Sequence, residues 1–252
     1  MSQHRTLLTL TLLLFPFLLN ADEITIVADE WCPYNCAPNS SNPGYIVEVV
    51  KLVFARTGHN VIYITDSWNR TLEGVNNGKY AAAIAATPNE LPNGIFPKET
   101  LGYSGNYFLV KKSLDWRYDS LTSLRNLRLG TIKGYDYGET LNQYFKQAPS
   151  VSRKTGIDAV KKNLSELYKG IIDVYVTDQS VAYHEAKQIG LDSQFKVAGS
   201  EGKPIALYLG FTPKSYNSKT YADILSQGII DIRKEGLLAQ ILTKYGLKDW
   251  KN

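Results

Sequence analysis

Val174-Tyr175-Val176-Thr177-Asp178-Gln179-Ser180-Val181-Ala182 reads as a short apolar, β-branched strand that ends in a carboxylate and passes at once into a helical pattern. In an open α/β sheet, ligands bind in the crevice at the carboxyl ends of the strands. An acid at that point is placed to meet a cationic group of a ligand. The competing reading is purely local: Asp is a favoured N-cap, and Asp178 stands where the next helix begins.

Working outward, strands and helices alternate on both sides of this run. Ile24 to Ala28 reads as a strand, followed by a loop from Trp31 to Pro43. After Gly44, Ile46, Val49, Val50, Val53 and Phe54 share one face at helical spacing, and Gly58 ends that helix. Val61 to Ile64 is a strand, Trp68 to Asn77 a short helix, and Ala81 to Ala86 a small-residue strand. The loop Thr87-Pro88-Asn89-Glu90 follows. Asn106 to Lys111 reads as a connecting strand.

A second unit repeats the alternation. Leu127 to Ile132 is a strand, Lys133 to Gly138 a glycine-flanked turn, and Glu139 to Gln147 a helix. Gly156 to Tyr168 is helical, Ile171 to Thr177 a strand, and Asp178 to Ile189 a helix. Ile205 to Thr212 reads as a strand returning to the first unit, and Tyr221 to Tyr245 as helix divided at Gly236. Alternation of this kind implies parallel sheets with helices on their faces. The expected fold is α/β and two-lobed, each lobe a sheet flanked by helices, joined by two hinge crossings. Residues 22–108 with 205–252 would form lobe 1, and 109–204 lobe 2.

Residues 1–21 read as a secretory signal peptide. Arg5 supplies the positive start, Leu7 to Leu19 the apolar run, and Leu19-Asn20-Ala21 the cleavage site. A retained anchor is the alternative, but the run is short for a membrane span and contains Pro16. Export to the periplasm is expected. The formal charge of +4 falls to about +3 once Arg5 is removed, and it is spread without basic blocks, so nucleic acid is a poor partner. Tyr outnumbers Phe by 17 to 8, which suits a wet, aromatic-lined cleft and equally an ordinary surface.

The cysteines are Cys32 and Cys36, in Trp31-Cys32-Pro33-Tyr34-Asn35-Cys36. Fully extended, their Cα atoms would lie ~13 Å apart, too far to bridge. Pro33 and Asn35 favour a turn that brings them within range, and an exported protein meets an oxidising compartment. A local disulfide is therefore expected. A metal site needs more ligands than this motif offers, and His4, His59 and His184 are scattered. A redox motif more usually has two intervening residues. Neither metal nor cofactor is expected.

Four stretches together resemble the type II periplasmic solute-binding proteins, specifically the family 3 proteins of polar amino-acid ABC transporters. They are Trp31-Cys32-Pro33-Tyr34; Gly44-Tyr45-Ile46-Val47-Glu48-Val49-Val50-Lys51; Trp68 through Gly78-Lys79-Tyr80; and Ile132-Lys133-Gly134 with Gly170 through Asp178. The resemblance spans nearly all of the chain after residue 21. It implies a small-molecule ligand, an amino acid or amine, held between lobes that close by hinge motion. It also implies delivery to a separate ABC permease by a monomeric protein without catalytic activity.

The resemblance implies site residues too. Asp178 would take an ammonium, while Trp31, Tyr34 and Trp68 would wall the cleft. Thr87 would offer a hydroxyl or backbone group, and the turn bearing Tyr135 would suit an anionic group. Tyr103 is a candidate at the hinge. The family loop usually reads Thr-Pro-x-Arg, with the arginine clamping the ligand carboxylate. Here Glu90 stands at that place. Either Arg70 or Lys133 substitutes, or the ligand is a cation such as an amine. Glu90 pointing into solvent is the bland alternative. Two further readings stay open: a sensory module that presents its ligand to a receptor, and an exported dehydratase-like enzyme, with Glu90 and His184 as acid–base candidates.

Overall fold

The computed structural model describes residues 22–251; the expected signal peptide lies outside them. The first unit runs β1 (Glu23–Ala28), α1 (Tyr45–Ala55), β2 (Asn60–Thr65), α2 (Trp68–Asn76) and β3 (Ala82–Ala86). β4 (Gly102–Lys111) leads to β5 (Leu129–Ile132), α3 (Gly138–Gln147), β6 (Val151–Lys154), α4 (Ala159–Lys169), β7 (Val174–Thr177) and α5 (Gln179–Gln188). β8 (Phe195–Phe211), α6 (Ser218–Lys234) and α7 (Leu237–Lys244) complete the order.

The eight strands form one curled sheet in the order β2-β1-β3-β8-β4-β7-β5-β6. Its two wings are parallel: β1 pairs with β2 and β3, and β5 with β6 and β7. The long antiparallel pair β4 and β8 joins them, with β8 also on β3 and β4 also on β7. This is a two-lobed fold in which two strands make both crossings. The pairing of β4 with β8 shifts register between Ser104 and Asn106.

Local chemistry explains the elements. α1 buries Ile46, Val49, Val50, Val53 and Phe54, the stripe visible in the sequence, and each such side chain contributes about 1.5–3 kcal/mol when fully buried. Gly44, ahead of α1, has φ +105°, and a Cβ there would sit 2.4 Å from the Asn35 backbone. Only glycine lets the Cys32–Cys36 loop pack against the helix start. Two strands run longer than the sequence reading. β8 begins at Phe195, ten residues before Ile205, and β4 begins at Gly102. β6, Val-Ser-Arg-Lys, was absent from that reading, because an edge strand with one β-branched residue carries little periodic signal.

Candidate functional site

Four strand ends converge between the lobes. β1 ends before Asp29, β3 before the Thr87–Glu90 loop, β5 before the turn carrying Tyr135 and Asp136, and β7 before Asp178. These segments line one interlobe cavity, floored by Ser104 and Asn106 of β4 and by Ile205 and Leu207 of β8.

Asp178 caps α5 and also borders the cavity. Its Oδ1 accepts from the backbone N–H groups of Ser180 (2.8 Å) and Val181 (3.2 Å), capping α5. Its Oδ2 accepts from Gly105 N on β4 at 3.2 Å, and the residue lines the cavity. Burial raises its pKa, while the three backbone bonds pull it back toward the ionised form.

Trp31 and Trp68 are both buried in the cavity wall. Between them stands Tyr135, from the other lobe, edge-on to each at centroid distances of 6.2 and 5.9 Å. Its hydroxyl donates to Oδ2 of Asp29 at 2.8 Å. Tyr34 stacks on the outer side of Trp31 at 4.4 Å and donates to the carbonyl of Tyr103 at 3.1 Å. Tyr34 and Tyr103 line a neighbouring groove, not the cavity itself.

Glu90 does not point to solvent. Its Oε1 accepts from the Trp68 indole N–H and from Asp136 N, both at 3.0 Å. Its Oε2 accepts from Thr87 N at 3.0 Å, and the Thr87 hydroxyl donates to Asp136 Oδ2 at 3.3 Å. Burial pushes the Glu90 carboxyl up to about 7 against these donors. The two cations considered in its stead lie elsewhere. Arg70 is exposed and paired with Asp66 at 2.5 Å. Lys133 lines an outer groove. Neither belongs to the cavity lining.

Asp29 and Asp136 escaped the sequence reading. Asp29 is buried, and burial pushes it up to about 7. Its signal was available, since it follows a strand just as Asp178 does. Asp136 sits inside a turn, where Asp is expected for purely local reasons. His184 lies outside the cavity, in a groove beside the Cys32–Cys36 disulfide, whose Cα atoms are 4.8 Å apart.

The backbone is unusual at one lining position. Ala85 has φ +59°, where β3 shifts register against β8 between Ala83 and Ala86. A bulge of this kind re-aims the chain, here into the Thr87 loop.

The profile of the bacterial extracellular solute-binding proteins, family 3, matches residues 24–248. The chain belongs to this family. No curated protein sequence matches it. Several solved structures share its fold at low identity. One is the arginine-, lysine-, histidine-binding protein ArtJ from Geobacillus stearothermophilus: TM-score 0.74, 15% identity, covering 90% of this chain and 97% of that one. Another is the amino acid ABC transporter substrate-binding protein AbpA from Streptococcus pneumoniae bound to L-arginine: 0.72, 17%, 88% and 94%. A third is the ancestral amino acid-binding protein AncCDT-1, a precursor of cyclohexadienyl dehydratase: 0.70, 17%, 88% and 95%. Like these, the family 3 protein described here is a two-lobed α/β molecule. Among its described residues, no helix is long and apolar enough to cross a membrane.

Proposed function

We propose that this protein is an exported solute-binding protein that captures a small polar ligand, an amino acid or an amine, between its lobes. The closed form then docks on an ABC permease, a separate partner, and delivers the ligand as a monomer from the periplasm. Lobe 1 comprises residues 22–108 and 205–252, and lobe 2 residues 109–204. The carrying observation is the interlobe cavity at the ends of β1, β3, β5 and β7, bridged by the Tyr135–Asp29 and Asp136–Glu90 hydrogen bonds. A ligand whose contacts are made by both lobes at once favours the closed arrangement by its differential affinity.

The test is a thermal-shift and small-angle scattering survey against amino acids, amines and dicarboxylates. A ligand at 100 times its Kd adds about 2.7 kcal/mol of stability and is expected to compact the protein. Asp178→Ala is expected to abolish both effects. If no compound changes either quantity, the proposal fails.

One observation favours a catalytic reading. Asp29 and Glu90 share a cavity and both sit near 7, the range in which a carboxyl serves as general acid or base. Turnover of a prephenate-like substrate would establish it; binding without turnover would exclude it for that substrate.

A further inference from the structure

Four carboxyl groups line the cavity, from Asp29, Glu90, Asp136 and Asp178, and no Lys, Arg or His is among the lining residues described. An entering carboxylate would meet like charge and find no guanidinium or ammonium to offset its lost hydration. The residue at the loop position where an arginine would clamp it is Glu90, and both of its oxygens already accept hydrogen bonds.

The remaining lining points the same way. Trp31, Trp68 and Tyr135 present aromatic surface, which attracts cations through the ring quadrupole. Tyr175 also lines the cavity, with its buried hydroxyl beside the Thr177 and Asn163 side chains. Acceptors in excess favour a cation that carries N–H donors over a quaternary ammonium.

Resting on the reading of this cavity as the ligand cleft, we propose that its ligand is a small N–H-bearing organic cation, an alkylammonium or guanidinium compound without a carboxylate. Such a ligand neutralises charge at the ends of β1, β3 and β7 at once. It also draws protons off the cavity. Asp29 faces Glu30, Glu90 and the hydroxyls of Tyr135, Tyr63 and Tyr175. Glu90 faces Asp136, the Tyr137 hydroxyl, Thr87 and the Trp68 indole. None of these groups is cationic; Lys133, Lys146 and Arg153 line the outer groove that Glu90 and Asp136 also border, and all three are exposed. The nearby Lys161 is tied to Glu30 and Glu185 at the outer rim. A bound cation therefore favours the ionised acids, and affinity rises with pH between 6 and 8.

Titration calorimetry of the purified protein against matched pairs tests this. Agmatine is arginine without its carboxylate, and cadaverine is lysine without its carboxylate. In at least one pair the decarboxylated member is expected to bind about 100-fold tighter, with protons released and affinity higher at pH 8 than at pH 6. Arginine and lysine each binding as tightly as its amine would overturn the inference while leaving the capture of an amino acid intact. Absence of binding by both amines also overturns it. The same titrations against neutral amino acids then decide whether the broader reading survives.

Discussion

The Tyr135 hydroxyl, carried by the turn after β5, donates to the buried Asp29 carboxyl at the end of β1 at 2.8 Å, across the interlobe cleft and 106 residues apart in sequence. It is the one side-chain donor to that carboxyl among the described residues. Tyr135→Phe keeps the ring between Trp31 and Trp68 and removes only this bond. Stability of the unliganded protein is expected to fall by about 1–3 kcal/mol, the cost of a buried acceptor left unmet. Scattering is expected to show a larger radius of gyration, because a bond between lobes is lost. Unchanged melting and an unchanged radius would show that the bond contributes nothing to closure.

Asp29 and Glu90 make stability depend on pH with a definite sign. Both fold with a carboxyl raised to about 7, above its value in the unfolded chain. Between pH 4 and 7 the folded state therefore holds more protons than the unfolded state. By linkage, stability falls as pH rises through that window, on the order of 3 kcal/mol per group. Asp173, Asp249 and Glu235, whose carboxyls are lowered, act with the opposite sign at more acid pH. Thermal melts of the unliganded protein are expected to show a higher Tm at pH 5 than at pH 7.5. Asp29→Asn with Glu90→Gln is expected to flatten the slope. A Tm that rises from pH 5 to 7.5 would contradict the assignment.

Asp178 combines a cap and a charge, and the two are separable. Asp178→Ser retains a capping oxygen for the N–H groups of Ser180 and Val181 and removes the carboxylate. Asp178→Ala removes both. The alanine variant is expected to lose about 1–2 kcal/mol in urea unfolding and the serine variant about half a kcal/mol or less. Both are expected to lose ligand binding. Retained binding in the serine variant would reduce Asp178 to a cap.

The Cys32–Cys36 bridge closes a small loop whose backbone meets Gly44 and α1. Replacing both cysteines by serine is expected to cost about 2 kcal/mol by the chain-entropy relation for a loop of this length. Trp31 and Asp29 flank this loop, so ligand affinity is expected to fall with it. Calorimetry with and without reductant provides the measurement, and no difference would mean that the turn is held by its backbone bonds alone.

Local pattern alone carried the alternation of strands and helices, the apolar stripe of α1 and the carboxylate at the end of β7. Each depends on residues within a few positions of one another, and the physics involved, helical periodicity, β-branching and capping, acts over that range. The family resemblance, not local pattern, pointed Trp31 and Trp68 toward a cleft. Nearness in sequence did not place Arg70, since a helix residue can turn either to a cleft or, as here, to Asp66. Nor did it reveal that β8 spans 17 residues, because that strand owes its length to pairing with β4 and β3. The inward turn of Glu90, held by Trp68 and Thr87 of its own lobe and by Asp136 of the other, was decided only in the tertiary structure, as were the addition of Asp29 and Asp136 to the site and the bond from Tyr135 to Asp29. Whether a carboxyl is solvated or buried, and which groups face it, depends on residues up to a hundred positions away. No local propensity encodes that environment, and it is what raises these acids toward neutrality and leaves the cleft without a cation.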